Sequence, residues 1–148
     1  MERVVYQQMA ELDDRHWWYR ARRRVIADLI QREAQPPANA QVLEIGCGTG
    51  HNLPMLSGFG KVDALELDEA ARELAEKRLG RKIMRAPLPE IADVRDKHYD
   101  LIGAFDVIEH IDDDHAAIAS IATKLSCCAR TASRIWRGLP TSPSPARG

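Results

Sequence analysis

These 148 residues predict an α/β fold built on a parallel sheet. Three observations carry the prediction. Short apolar runs at 41–45, 62–67 and 99–105 alternate with helix-period segments, the pattern of parallel strands joined by right-handed crossovers. A glycine-rich turn, Gly46-Cys47-Gly48-Thr49-Gly50, follows the first run directly. The second run closes on acidic residues, Glu66 and Asp68, at the strand end where an open α/β sheet holds its ligand.

Each element has its own justification. Residues 14–33 read as a helix, because Trp18, Ala21, Val25 and Leu29 fall at i, i+3, i+7 and i+11. Pro36-Pro37 ends it, and a linker runs to Ala40. Residues 41–45 form the first strand. A helix starts within 51–56, where Pro54 is tolerable in the first turn. Residues 62–67 form the second strand. Asp68 or Glu69 opens a helix with apolar positions Ala71, Leu74, Ala75 and Leu79. Residues 81–84 read as a third strand and 87–97, with Pro87 and Pro89, as a loop. Residues 99–105 are the fourth strand. Asp112-Asp113-Asp114 opens a last helix at its positive dipole end, with Ile118, Ile121, Ala122 and Leu125 as its apolar face.

Composition excludes several classes. Lys plus Arg total 21 and Asp plus Glu 22, a net charge of -1, so no strong overall positive field points to nucleic acid. The residues are 45% hydrophobic and 29% charged, an ordinary globular mixture. No apolar run approaches the roughly 18 residues of a membrane span, and no apolar core of a secretory signal stands at the N-terminus. Cys47, Cys127 and Cys128 form neither a disulfide framework nor a zinc spacing. A reduced, cytoplasmic, soluble protein is the expectation.

The glycine turn is the first functional signal. Between a strand and a helix, glycines allow backbone angles that a side chain forbids, and let a ligand approach the main chain. A dinucleotide turn has G-x-G-x-x-G. Here the third glycine comes one position early, and His51 stands where the last glycine belongs. That spacing disfavours a nicotinamide-dependent oxidoreductase, which stays as the lesser alternative.

Val42-Leu43-Glu44-Ile45-Gly46-Cys47-Gly48-Thr49-Gly50 resembles motif I of the class I S-adenosylmethionine-dependent methyltransferases. The segment from Tyr99-Asp100-Leu101-Ile102 to Asp106-Val107-Ile108-Glu109-His110 is similar to that family's fourth strand and following loop. His16-Trp17-Trp18-Tyr19, followed by Arg22 and Arg23, is similar to a lead-in found in bacterial members. The resemblance covers residues 5–125. It implies a Rossmann-like three-layer core and S-adenosyl-L-methionine as cofactor. By the same resemblance Gly46, Cys47, Gly48 and Gly50 meet the methionine portion and Glu44 orients that end. Glu66 bonds the ribose hydroxyls, with Asp68, otherwise a helix cap, as the competing choice, and Leu67, Phe105 and Asp106 complete the cofactor-binding set. The family often places an acid after the third strand, near the adenine; Arg85-Ala86-Pro87 has none.

Methyl transfer from a sulfonium releases a neutral group, so orientation and exclusion of water matter most. A general base helps when the acceptor is a hydroxyl or an amine. His110 and Glu109 are the catalytic candidates, with a purely structural role for His110 the competing reading. Asp106, Glu109 and His110 also resemble a magnesium cluster of quinone-biosynthetic O-methyltransferases, although no metal is expected. Trp17 and Trp18 read either as a lid or as helix packing. Arg22 and Arg23 read as a solvated face or as contacts to an anionic acceptor. Cys47 is a small turn residue. His51, His98 and His115 have no partner at recognisable spacing.

The pattern breaks after Leu125. Residues 126–148 carry Arg130, Arg134, Arg137 and Arg147 and no acid; they lack strand periodicity and read as a disordered tail. One set of GC-rich codons for 126–133, read two nucleotides later, encodes Leu-Leu-Arg-Pro-Asp-Gly-Leu, close to the family's continuation. A frameshift or truncation is therefore expected, leaving an incomplete parallel sheet with an exposed edge. The expected organisation is a helical lead-in at 1–40, a partial cofactor-binding domain at 41–125 and the aberrant tail at 126–148. The expected function is methyl transfer to an unidentified small-molecule acceptor. A cofactor-binding fragment without turnover is the alternative.

Overall fold

The computed structural model describes residues 15–127. Helix α1 spans Trp17–Leu29 and runs into a π-helical turn at Ile30–Ala34. Then come β1 (Ala40–Ile45), α2 (Leu53–Leu56), β2 (Gly60–Leu65), α3 (Glu69–Leu79), β3 (Leu101–Ala104) and α4 (Asp114–Lys124). The sheet is parallel, in the order β2-β1-β3. The chain leaves β1 to one side and later returns to the other, so β1 is the point where the strand order reverses.

Alternation along the strands builds two apolar layers. Val42, Val62, Ala64 and Leu101 face a layer filled by Leu53, Leu56 and Ala75, with Ile26 and Ile30 of the N-terminal segment. Leu43, Ile45, Leu65 and Ile102 face the opposite layer, with Ile91, Val94, Tyr99 and Ile121. Covered on both faces, β1 is apolar almost throughout. The expected three-layer α/β core is present.

Several expectations need correction. The third strand at 81–84 reduces to one parallel bridge between Leu65 and Met84. The fourth keeps only Leu101–Ala104 as ladder, with Tyr99 bridged to Leu125. Residues 51–56 give a helix of a single turn. The stretch 87–97 is irregular, as expected, yet Ile91 and Val94 are core residues. Helix α1 turns its predicted stripe outward: Trp18, Ala21, Val25 and Leu29 are exposed, while Ile26 and Ile30 face the core. Ile26 and Ile30 are themselves an i, i+4 pair, so the helix carries two apolar arcs and the sheet takes the one with the two isoleucines. In α4, Ala122 is exposed and Ala117 is buried with Lys124, whose ammonium meets Asp96 at 2.7 Å. Asp68 caps its helix, accepting from the Ala70 and Ala71 amides, and within the acidic run at 112–114 the cap is Asp113, which accepts from Ala116. Residues 1–14 of the lead-in and 128–148 of the predicted tail lie outside the described residues.

Candidate functional site

The register gathers the candidate residues. Ile45 pairs with Leu65 on one side and with Ala104 on the other. The three strands therefore end level, and the segments following them meet at one edge: Gly46 onward, Glu66-Leu67, and Phe105-Asp106. The reversal between β1 and β3 is the position at which open α/β sheets form a ligand crevice.

Hydrogen bonds hold the glycine turn to β2. The Cys47 amide donates to the Leu65 carbonyl at 3.0 Å, and the Gly48 amide to Glu66 Oε2 at 2.7 Å. The Asp68 amide donates to Glu66 Oε1 at 2.8 Å. Each carboxylate oxygen has two lone-pair sites, so Glu66 retains acceptor capacity. Gly48 has φ +55°, and a Cβ there would meet nothing within 4 Å: its missing side chain faces open space. Gly50 has the opposite environment. At φ +81°, a Cβ there would lie 2.9 Å from the Ala75 backbone and 2.8 Å from Leu53. The first glycine leaves room for a ligand and the second lets α3 approach. Leu67, just beyond β2, is half exposed.

Glu44 is the unusual group. It sits on β1 one residue from the turn, on the face that carries Val42, and is 1% exposed. Asn52 Nδ2 donates to its Oε1 at 2.8 Å. Glu44 Oε2 and Asn52 Oδ1 are buried without a hydrogen-bond partner. Burial pushes the Glu44 carboxyl up to about 8; the Asn52 bond and the Arg22 charge oppose this, and Glu66 adds to it. With Glu44 ionised, its Oε2 and Asn52 Oδ1 are two acceptors without donors, a place for a cationic donor; with none there, burial favours a proton on the carboxyl. Burial also raises the Cys47 thiol, with Glu44 and Glu66 adding to the effect. It stays protonated and is no nucleophile.

The far side of the crevice is more open. Asp106 follows Phe105 at φ +56° and forms an ion pair with Arg22 of α1. The Arg22 guanidinium also lies 5.7 Å from the centroid of Trp18. Val107 packs against the glycine turn, so close that a Cβ on Gly46 would come within 2.8 Å of it. Glu109 and His110 lie in an exposed 3₁₀ turn, Ile108–His110. Among the described residues, no three His, Cys, Asp or Glu side chains could hold a metal ion, so the trio of Asp106, Glu109 and His110 is not assembled as a cluster.

The structure thus brings Glu44, Gly46, Cys47, Gly48, Gly50, Glu66, Leu67, Phe105 and Asp106 to one edge, with Glu109 and His110 at its rim. The helix after the turn, α2, has only four residues, and the side chain of its cap Asn52 bonds Glu44. Asn52 and Val107 escaped the sequence reading. A polar residue before an apolar helical turn, eight positions after a strand acid, was the available signal for Asn52. Arg22, read as solvated or acceptor-binding, instead bonds Asp106.

Comparison with known proteins agrees with this arrangement. A family model described as a methyltransferase domain matches residues 17–127. No curated protein matches the sequence. Among solved structures, a Methanococcus maripaludis protein assigned as an S-adenosyl-L-methionine-dependent methyltransferase is 19% identical, with TM-score 0.70 over 84% of this chain and 59% of that one. DesVI of Streptomyces venezuelae is 25% identical, with TM-score 0.66 over 85% and 54%. CalS10, an amino pentose methyltransferase of Micromonospora echinaspora solved with S-adenosylmethionine bound, is 26% identical, with TM-score 0.66 over 82% and 52%. The chain spans between 52% and 59% of the length of these three structures. With the model covering well over half of its residues, the chain belongs to the methyltransferase-domain family.

Proposed function

We propose that the chain binds S-adenosylmethionine at the glycine turn and serves methyl transfer to a small-molecule acceptor in the cytoplasm. The observation that carries the reading is the unmatched acceptor pair, Glu44 Oε2 and Asn52 Oδ1, buried beside a glycine turn that is open at Gly48. Those acceptors suit the ammonium of an amino-acid ligand. Glu66, with lone pairs to spare, suits a pair of ribose hydroxyls. Leu67 offers an apolar surface next to it for a base, and Phe105 and Asp106 close the opposite wall.

When bound, the cofactor supplies an electrophilic methyl group on a sulfonium. The residues of this chain orient it and keep water away, the largest contribution open to them. Cys47 fills the turn without competing as a nucleophile. His110 and Glu109 stand on the rim, where a base would take a proton from an acceptor hydroxyl or amine.

The test is calorimetric titration of the 148-residue chain with S-adenosylhomocysteine, beside Glu66→Ala. Saturable binding, weakened about tenfold or more in the variant, is expected from the loss of a charged acceptor. A folded chain without binding overturns the cofactor assignment. Binding without turnover on any acceptor tried leaves cofactor binding in place and removes the catalytic part of the proposal.

A further inference from the structure

We propose that the outer face of α1 docks on an anionic lipid surface. This inference stands apart from the cofactor site. The stripe that the core does not use is apolar and open: Trp17 is 71% exposed, Val25 59%, Trp18 47% and Leu29 45%. Trp18, Ala21, Val25 and Leu29 lie within one arc of the helix, with Trp17 beside it. The opposite arc is already engaged, since Ile26 and Ile30 are packed in the core and Tyr19 meets the His51 ring edge-on at 6.1 Å. Docking therefore needs no unfolding.

Charge selects the partner. Of the arginines in residues 15–29, Arg15, Arg20 and Arg24 are exposed, Arg23 is half-buried and Arg22 is taken up by Asp106; Asp28 is the one acid among these residues. The one acid is itself paired, with Arg32 at 2.9 Å. Arg20 and Arg24 are exposed on the flank next to Trp17 and Ala21, where long side chains reach phosphates while their stems cover apolar surface. Tryptophan, aliphatic side chains and flanking arginines on one short helix fit the headgroup boundary of a bilayer, with the helix lying in its plane. No described helix is long and apolar enough to cross it. A second copy of α1 would set arginines against arginines. A nucleic acid would meet the arginines and leave Val25 and Leu29 wet.

The test is flotation of the full chain with phosphatidylcholine vesicles, with and without phosphatidylglycerol. Binding is expected only with the anionic lipid. The tail arginines also attract anions, so the decisive variant is Val25→Asp with Leu29→Asp, both solvent-facing and outside the core. It should raise the lipid concentration needed for half binding about tenfold or more. Arg20→Glu with Arg24→Glu should do likewise, and serves if the first variant misfolds; circular dichroism checks both. Equal flotation of folded variants overturns the proposal, as does a wild-type chain that stays unbound. A dimer separated by the aspartates without vesicle binding, or an RNA complex weakened by them as strongly as vesicle binding, also overturns it.

Discussion

The two sides of β1 are built differently. Toward β2 the pairing runs six residues, from Ala40 with Gly60 to Ile45 with Leu65. It continues past the strand ends through Cys47 to Leu65, Gly48 to Glu66, and the Glu66 amide to the Met84 carbonyl at 3.1 Å. Toward β3 the pairing runs four residues, and the segment beyond is tied by Val107 against Gly46 and by one ion pair to α1. The difference separates two tasks. The β2 side is a fixed platform, suited to a ligand whose shape does not change. The β3 side ends in exposed residues with few bonds, where loops can vary in sequence and motion.

The largest expected effect tests how rigid the platform is. Gly50→Val forces a branched side chain to φ +81° and into the Ala75 backbone. Overpacking against main chain and left-handed strain together should cost about 3 kcal/mol or more. Gly48→Ala carries the strain at φ +55° without the clash, so about 1 kcal/mol is expected. Urea unfolding of the two variants measures the gap. If both lose the same stability, the turn is not packed against α3 as described.

Next in size is Glu44. Its carboxyl is raised to about 8 in the folded chain, from an ordinary value of 4.5. The folded state therefore keeps a proton that the unfolded chain releases above about 4.5. Stability from this group is full below that pH and falls as pH rises toward 8, with a slope of up to about 1.4 kcal/mol per pH unit. Glu44→Gln should flatten the fall while keeping the shape of the group. Unfolding curves for both chains across this range decide it; identical slopes would show that Glu44 is not held protonated.

Tyr99→Phe examines the opposite end of the sheet. The Tyr99 hydroxyl bonds Asp63 Oδ2 at 3.0 Å, reaching from the β3 side to β2 beneath β1, and burial with the Asp63 contact raises its pKa. Losing one such bond should cost about 1 kcal/mol. No change in the midpoint of urea unfolding would mean that the two sides are not joined there.

The platform was far more legible in the sequence than the rim. Short apolar runs and the glycine turn act locally, so β1 and the cap Asp68 could be read directly, and β2 with its bounds two residues late, at 62–67 instead of 60–65. Glu44 could be read as a strand acid, but its orphaned oxygen could not, because that depends on Asn52 arriving from α2 and on total burial. The face of α1 was misread for a similar reason. Trp18, Val25 and Leu29 make the more conspicuous stripe, yet Ile26 and Ile30 fit the layer above Val42 and Leu56. Periodicity finds an apolar arc; packing decides between two. Ile91 and Val94 were hidden inside a proline-flanked stretch with no period, though their burial closes the second layer. The residues of the site were named on a family resemblance, and the parallel register accounts for their meeting at one edge.

The smallest expected effect is at the seam between α1 and the β3 side. Arg22 and Asp106 form an ion pair, with side chains 22% and 65% exposed. An arginine stacked near Trp18 is partly ordered beforehand, which favours the pair, but the exposed carboxylate is well solvated, which screens it. A coupling of about 0.5 kcal/mol is therefore expected from a double-mutant cycle of Arg22→Ala and Asp106→Asn. High salt should reduce it further. Arg22 also lowers the Glu44 carboxyl from a distance, so Arg22→Ala should push the pH-dependent fall of stability to higher pH, whereas Asp106→Asn, which leaves the guanidinium in place, should not. A pH profile that moves equally in both variants would show that Arg22 acts on Glu44 only through its bond to Asp106, and the seam would then belong to the platform rather than to the rim.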